Sequence, residues 1–238
     1  GLERARLAAE PETPLAGAAS RRFGEMIRRR LRREPVAYIL GRKGFRRIEL
    51  EVDRRVLVPR PETELLVEVA LELAPATVLD TGTGSGAVAL AIADELPAAL
   101  VTAADSSEEA LAVARGNAER LGAGARVSIV AGTLPGGHYD LLVANLPYVA
   151  EAEWEGLAPE IREHEPAAAL VAGPTGLESI AELLALVREA GEPPAAIALE
   201  VGEGQGGDVA RIVGTAGYEH VGLRADLAGI ERVVVGRR

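Results

Sequence analysis

Between Thr77 and Ala144 the chain alternates short apolar runs with longer helical ones. In order they are Thr77-Val-Leu-Asp80, a helical stretch over 86–95, Leu100-Val-Thr-Ala-Ala-Asp105, a second helical stretch over 107–121, Val127-Ser-Ile-Val130 and Asp140-Leu-Leu-Val-Ala144. Runs that are apolar throughout belong to strands buried on both faces, and strands separated by helices lie parallel with helices packed above and below. An α/β fold follows. Beyond Asn145 the pattern is less regular, with Trp154, Pro159, Pro166 and Pro174, before a helix over 176–190. Strands over 196–201 and 218–223 then flank a helix over 206–215, and a strand over 230–235 closes the chain.

The first third of the chain has a different texture. Leu15, Ala18, Ala19, Phe23, Met26, Ile27 and Leu31 fall at helical spacing over 15–33, and Glu34-Pro35 stops that helix, because the residue before a proline is pushed out of the helical region. From 36 to 58 come short β-rich pieces, 45–52 and 56–58, joined by Asp53-Arg54-Arg55, which reads as a β-hairpin. Pro61 suits the first turn of a helix reaching Leu73, with Glu62 and Glu64 at the positive end of its dipole. The expected organisation is an N-terminal helical domain over 1–34, a hairpin linker over 35–58 and a catalytic domain over 59–238.

Composition narrows the chemistry. With no cysteine and three scattered histidines, neither a disulfide nor a structural zinc site is expected. No apolar run approaches the ~20 residues that cross a bilayer, so no membrane contact and a cytoplasmic location are expected. Residues 1–34 hold nine arginines and five glutamates, a net of +4, which leaves −14 of the total −10 on the remainder. An acidic body opposes tight binding to a phosphate backbone. The run Arg28, Arg29, Arg30, Arg32, Arg33 is the exception, read first as a solvated helix face and second as a patch for RNA or an acidic protein. The chain begins at Gly1 rather than Met, which points to a processed or engineered terminus and a longer natural N-terminus.

Asp80-Thr-Gly82-Thr-Gly84-Ser-Gly86 lies between a predicted strand and a predicted helix, where such a sheet takes its cofactor. The glycines permit a sharp turn and let a ligand lie against the backbone. Asp105 ends the next strand, 19 residues after Gly86, where a carboxylate accepts from both ribose hydroxyls of a nucleoside. NAD and S-adenosylmethionine both present an adenosine to such a site. Dinucleotide sites use G-x-G-x-x-G against a pyrophosphate, whereas this loop is G-x-G-x-G with an acid before it. Asp80 repels a pyrophosphate and suits the cationic methionyl end of S-adenosylmethionine.

Asn145-Leu146-Pro147-Tyr148 follows the fourth predicted strand, at the same sheet edge. The Asn145 side-chain oxygen and the Leu146 carbonyl can each accept one N–H of a planar –NH2 group, holding the nitrogen toward a methyl donor. Pro147 stiffens the loop, and Tyr148 offers an aromatic wall. A planar amide and the amino group of adenine both fit this description. His138 and His164 read as surface loop residues rather than bases.

With these segments placed, the chain resembles the HemK/PrmC family, the peptide chain release factor N5-glutamine methyltransferases. The resemblance rests on Arg33-Glu-Pro-Val-Ala-Tyr-Ile-Leu-Gly41, Val56-Leu-Val-Pro-Arg-Pro-Glu-Thr-Glu64, Leu79-Asp-Thr-Gly-Thr-Gly-Ser-Gly86, Asn145-Leu-Pro-Tyr148 and Glu165-Pro-Ala-Ala-Ala-Leu170. It extends to Leu199-Glu-Val-Gly-Glu-Gly-Gln205 and Asp226-Leu-Ala-Gly-Ile-Glu-Arg-Val-Val234. It implies a Rossmann-like class I S-adenosylmethionine-dependent methyltransferase sheet with a small N-terminal helical domain and a β-hairpin linker. It also implies methylation of the glutamine in the Gly-Gly-Gln tip of bacterial class 1 release factors. The implied cofactor residues are Asp80, Gly82, Thr83, Gly84, Ser85, Gly86, Asp105, Leu134 and Asn145, and the implied catalytic residues are Asn145, Leu146, Pro147 and Tyr148. Leu146 stands where the family carries proline, Thr133-Leu134 where it carries an acid followed by an apolar or aromatic residue, and the N-terminal domain is shorter than the family norm. The alternative is an adenine-N6 methyltransferase acting on RNA or DNA, because Asn-Leu-Pro-Tyr also resembles the motif of rRNA dimethyladenosine enzymes and an aromatic ring can stack on a flipped base.

Overall fold

The computed structural model describes Ala9 and residues 16–238. Leu15, where the expected first helix begins, and most of the stretch before it lie outside the described residues. Helix α1 runs Gly17–Leu31. It stops where expected, with Arg33 in a left-handed conformation (φ 66°) and the Glu34 carboxylate turned back onto Arg29 at 2.5 and 2.7 Å.

The linker differs from its sequence reading. Pro35 and Gly41 bracket a short helix, α2 (Val36–Leu40), where β structure was expected. The hairpin itself is β1 (Arg42–Phe45) against β2 (Ile48–Glu51), with Phe45 opposite Ile48. Its turn is therefore Arg46-Arg47, not Asp53–Arg55. Arg46 takes φ 50° there, its guanidinium paired with Glu95 at 2.8 and 2.9 Å and its backbone N–H donating to Glu64. Residues 56–58 make no strand: the Val56 N–H closes a turn on the Asp53 carbonyl, and two further backbone groups meet side chains. The Val56 carbonyl accepts from the Tyr38 hydroxyl, and the Val58 N–H donates to Glu165.

Helix α3 (Glu64–Leu73) begins one turn later than Pro61 suggested, after the turns of 61–63. Beyond it the alternation is as the apolar runs required: β3 (Thr77–Thr81), α4 (Ala87–Glu95), β4 (Leu100–Asp105), α5 (Glu108–Arg120), β5 (Val127–Ala131) and β6 (Leu141–Ala144). The insertion after Asn145 holds β7 (Val149–Ala150), a 3-10 turn over Glu151–Gly156, α6 (Pro159–Arg162), a second 3-10 turn over Ala167–Ala169, and β8 (Val171–Gly173), with β7 and β8 paired in a two-stranded sheet of their own. Then come α7 (Glu178–Glu189), β9 (Ala196–Glu200), α8 (Gly206–Thr215), β10 (His220–Ala225) and β11 (Glu231–Arg237).

The main sheet has seven strands in the order β10-β11-β9-β6-β3-β4-β5. Pairing is parallel from β5 through β9, and β11 runs antiparallel to both β9 and β10. The mixed character comes from the short 226–230 connection, which closes a hairpin but is too short for a crossover. Successive residues face opposite layers: Val78, Leu141 and Val143 pack with α3 and α4, while Leu79, Leu142 and Ala144 pack with α7 and α8. From β3 the chain proceeds outward to β4 and β5, then returns to the other side of β3 as β6. Strand order reverses there, and the crevice beyond the carboxyl ends of β3 and β6 is where such sheets bind ligands.

Asn117 on α5 ties the linker to this edge. It is fully buried; its Nδ2 donates to the Glu51 and Ser85 carbonyls at 2.9 Å each, and its Oδ1 accepts the Glu51 N–H at 2.7 Å. Replacing it with leucine orphans three backbone groups, each costly to leave unpaired in the interior. Asn117→Leu is expected to lower stability by roughly 3 kcal/mol, read as a reduced midpoint in urea; an unchanged midpoint would show that the hairpin is held by packing alone.

Candidate active site

The loop after β3 is shaped by backbone bonds and two carboxylates. The N–H groups of Gly82 and Thr83 both donate to the Ala104 carbonyl, at 2.9 and 3.0 Å. Asp80 lies beneath, buried, with Oδ2 accepting from the Thr83 hydroxyl at 2.6 Å and the Ala89 N–H at 3.1 Å. Asp105 closes the other side: Oδ2 accepts the Gly84 N–H and Oδ1 the Ser107 N–H, each at 2.9 Å. Gly82 and Gly86 are demanded by their surroundings. Both have positive φ, and a Cβ would lie 2.8 Å from Leu146 Cδ2 at the first and 2.9 Å from Leu90 Cδ1 at the second.

The register Thr81↔Ala144 sets the next residues, Gly82 and Asn145, side by side. Leu146, nearly buried, rests its side chain on Gly82. Asn145 Nδ2 donates to Thr63 Oγ1 at 3.0 Å. The Tyr148 carbonyl accepts from Gln205 Nε2 at 2.9 Å, and the same amide's Oε1 accepts the Gly202 N–H at 2.9 Å, pinning the loop from behind. Arg60 and Val58 are both held by the buried Glu165 carboxylate, at 2.5 and 3.0 Å, which joins the Pro59–Glu64 segment to the insertion.

A cavity of about 390 Å³ opens between these parts. Asp80, Gly82, Thr83, Gly84, Ser85, Asp105, Asn145, Leu146 and Pro147 line it, together with Thr63, Thr133 and residues of α7. Three of the sequence-predicted residues lie off its wall. Gly86 sits beneath α4 as its N-cap. Tyr148 packs toward Gly202. Leu134 lines a separate hollow with Pro135, His138 and Tyr139, while its neighbour Thr133 reaches the cavity, its carbonyl accepting from the Thr81 hydroxyl at 3.0 Å. Thr63, Asn117, Gln205 and Glu200 were absent from the sequence-derived set. Thr63, Glu200 and Gln205 all lay inside segments quoted for their resemblance without a role of their own, and the strand register, Ala144 beside Leu199, is what marks Glu200 as a neighbour of Asn145. Among the described residues no group of three or more His, Cys, Asp or Glu side chains is placed to hold a metal ion, and no helix is long and apolar enough to cross a membrane.

Residues 61–164 match the family described as Methyltransferase small domain, and residues 1–41 match the PrmC N-terminal domain. Over 244 residues the chain is 38% identical to a release factor glutamine methyltransferase of Caulobacter vibrioides, covering 99% of this chain and 84% of that protein. A protein of the same name from Moorella thermoacetica is 42% identical over 248 residues, covering 100% and 87%. Among solved structures, the hMettl16 catalytic domain in complex with a MAT2A 3'UTR hairpin superposes with a TM-score of 0.69 over 85% of this chain and 81% of that one. At 12% identity that likeness is one of fold.

Burial pushes the Asp80 carboxyl up from 3.8 to about 6, against the downward pull of the Thr83 hydroxyl and the Ala89 N–H. An acid raised on folding contributes its stability fully below its unfolded value and loses it as pH climbs through the folded one. Asp80→Asn has no proton to lose. Its Tm relative to the parent protein is therefore expected to climb between about pH 4 and 6 and stay level above. A Tm difference that ignores pH would contradict the raised value.

Proposed function

The chain belongs to the release factor glutamine methyltransferases, and from that premise we propose that it methylates N5 of the glutamine in the Gly-Gly-Gln tip of bacterial class 1 release factors, in the cytoplasm. It is an S-adenosylmethionine-dependent methyltransferase. The observation that carries the site assignment is the meeting of the glycine loop with Asn145 at the strand switch, the Asn145 nitrogen already engaged by Thr63.

The residues fit that cofactor. A cavity of about 390 Å³ has the volume of a small-molecule site. Each Asp105 oxygen accepts one backbone N–H and keeps a further lone pair for a ribose hydroxyl. The acids at the glycine loop, Asp80 and Asp105, suit a cation and reject a pyrophosphate. When bound, S-adenosylmethionine supplies an electrophilic methyl carbon on a sulfonium.

An amide nitrogen is a weak nucleophile because its lone pair is delocalised into the carbonyl. Asn145 Oδ1 and the Leu146 carbonyl accept its two N–H groups, orient the lone pair toward the methyl group and support the positive charge that develops on nitrogen. Among the described residues no backbone N–H outside regular elements donates to the Leu146 carbonyl. Leucine in place of proline preserves that acceptor, and its side chain fills the space above Gly82. The methylated nitrogen carries an acidic proton that passes to water, so no side-chain base is required. Pro147 and the Gln205 clamp on the Tyr148 carbonyl keep the loop rigid. The charge of −14 on residues 35–238 disfavours tight nucleic-acid binding.

Incubation with labelled methyl donor, a class 1 release factor and rRNA is expected to place one methyl group on the Gly-Gly-Gln peptide, located by mass spectrometry. Label in RNA alone would establish the adenine reading instead. Asn145→Ala is expected to lower kcat roughly a hundredfold, with S-adenosylhomocysteine affinity by calorimetry close to that of the parent; a variant with parental kcat would remove Asn145 from the chemistry.

A further inference from the structure

Thr63 occupies the N-cap of α3, yet its hydroxyl caps nothing: no side-chain cap bond is made there. A threonine at that position ordinarily accepts a backbone N–H of the first turn. Here the hydroxyl oxygen accepts from Asn145 Nδ2 at 3.0 Å, and the hydroxyl stands near enough to the Glu200 carboxyl to oppose the rise that burial gives that acid. Glu200 is 2% exposed, and its Oε2 has no partner among the described residues. It ends β9 one residue beyond Leu199, as Asn145 lies one residue beyond Ala144, and Ala144 pairs with Leu199. In register on adjacent strands, Asn145 and Glu200 project from the same face of the sheet. A buried carboxylate with an unpaired oxygen is costly, and nothing in packing alone calls for one beside this loop.

We propose that Glu200 and Thr63 are positioning residues that together fix which end of the Asn145 amide faces the acceptor nitrogen. A hydroxyl has one proton to donate. With that proton held by the Glu200 carboxyl, the Thr63 oxygen offers only lone pairs toward Asn145 and admits only its NH2 end. Oδ1 is then left for the cavity, where an acceptor is needed. Without Glu200 the hydroxyl donates as readily as it accepts and the Asn145 amide turns over, setting its own N–H groups against those of the substrate amide. The arrangement is a chain of three polar groups, Glu200, Thr63 and Asn145, of which only the last touches substrate.

The proposal rests on the function above, so the test carries one readout that needs no substrate. Thr63→Val removes the hydroxyl at nearly constant shape, Thr63→Ser keeps it, and Glu200→Leu removes the carboxyl. Thr63→Val is expected to lower kcat at least about tenfold, with a smaller change in KM for release factor and parental S-adenosylhomocysteine affinity; Thr63→Ser should restore kcat. Glu200→Leu should fall to a similar level, and the double variant no further than the worse single one, because both act through the same contact. In isotope-labelled protein, a slowly exchanging Asn145 side-chain NH2 proton is expected in the parent and in Thr63→Ser and should exchange fast in Thr63→Val. Parental kcat in Thr63→Val, or losses that multiply in the double variant, would overturn the proposal. Should Glu200→Leu fail to fold, the valine and serine variants still decide it. A parent protein that protects the Asn145 proton yet leaves release factor unmethylated would sink the substrate reading and leave the positioning intact.

Discussion

The parallel pairing of β3 with β6 sets Thr81 beside Ala144 and so fixes the spacing between the glycine loop and Asn145. Both strands are buried, and their side chains divide between two packed layers, so a slip in register would turn Leu79 and Leu142 into the wrong layer. The position of the site is therefore a property of the core. Gly82 completes the coupling: with no Cβ it lets Leu146 lie directly on the loop, and the two cavity-lining segments become one packed surface.

Around that surface the interior holds more polar groups than packing alone would call for. Asn117 joins the hairpin to the glycine loop, Asp80 braces the loop from below, and Glu165 holds Arg60 and Val58 against the insertion. Glu200 stands behind Asn145, its carboxyl pushed up to about 7 by burial, with the nearby Thr63 hydroxyl opposing the rise and Glu62 adding to it. Buried carboxyls raised in this way weaken the fold at neutral pH. They persist where geometry matters more than stability: of the two raised carboxyls, Asp80 lines the cavity and Glu200 follows Leu199, the register partner of Ala144 beside Asn145.

The alternating apolar runs made the sheet legible because burial on both faces leaves a pattern that needs no partner to interpret. The hairpin did not yield as readily. Residues 45–52 carry β-prone side chains, but the turn depends on Arg46 meeting Glu95 and Glu64, residues 49 and 18 positions away, and such long-range pairs leave no local mark. The 56–58 segment misled for the same reason, its hydrogen bonds going to Tyr38 and Glu165. At the site, spacing was enough to bring Gly82, Gly84, Asp105 and Asn145 to one cavity. Thr63 could not be found that way, since it looks like an ordinary helix cap until Asn145 is seen to occupy its hydroxyl. Leu134 shows the converse: a chain neighbour of a cavity residue can face another hollow, because the chain bends through 132–134 after β5.

The central claim concerns one nitrogen and two acceptors. A structure of the protein with S-adenosylhomocysteine and a release factor would measure it directly. The glutamine amide nitrogen is expected within about 3 Å of both Asn145 Oδ1 and the Leu146 carbonyl oxygen, with the sulfur on its opposite side. A glutamine held by other groups, or an Asn145 that presents Nδ2 to the cavity, would contradict it.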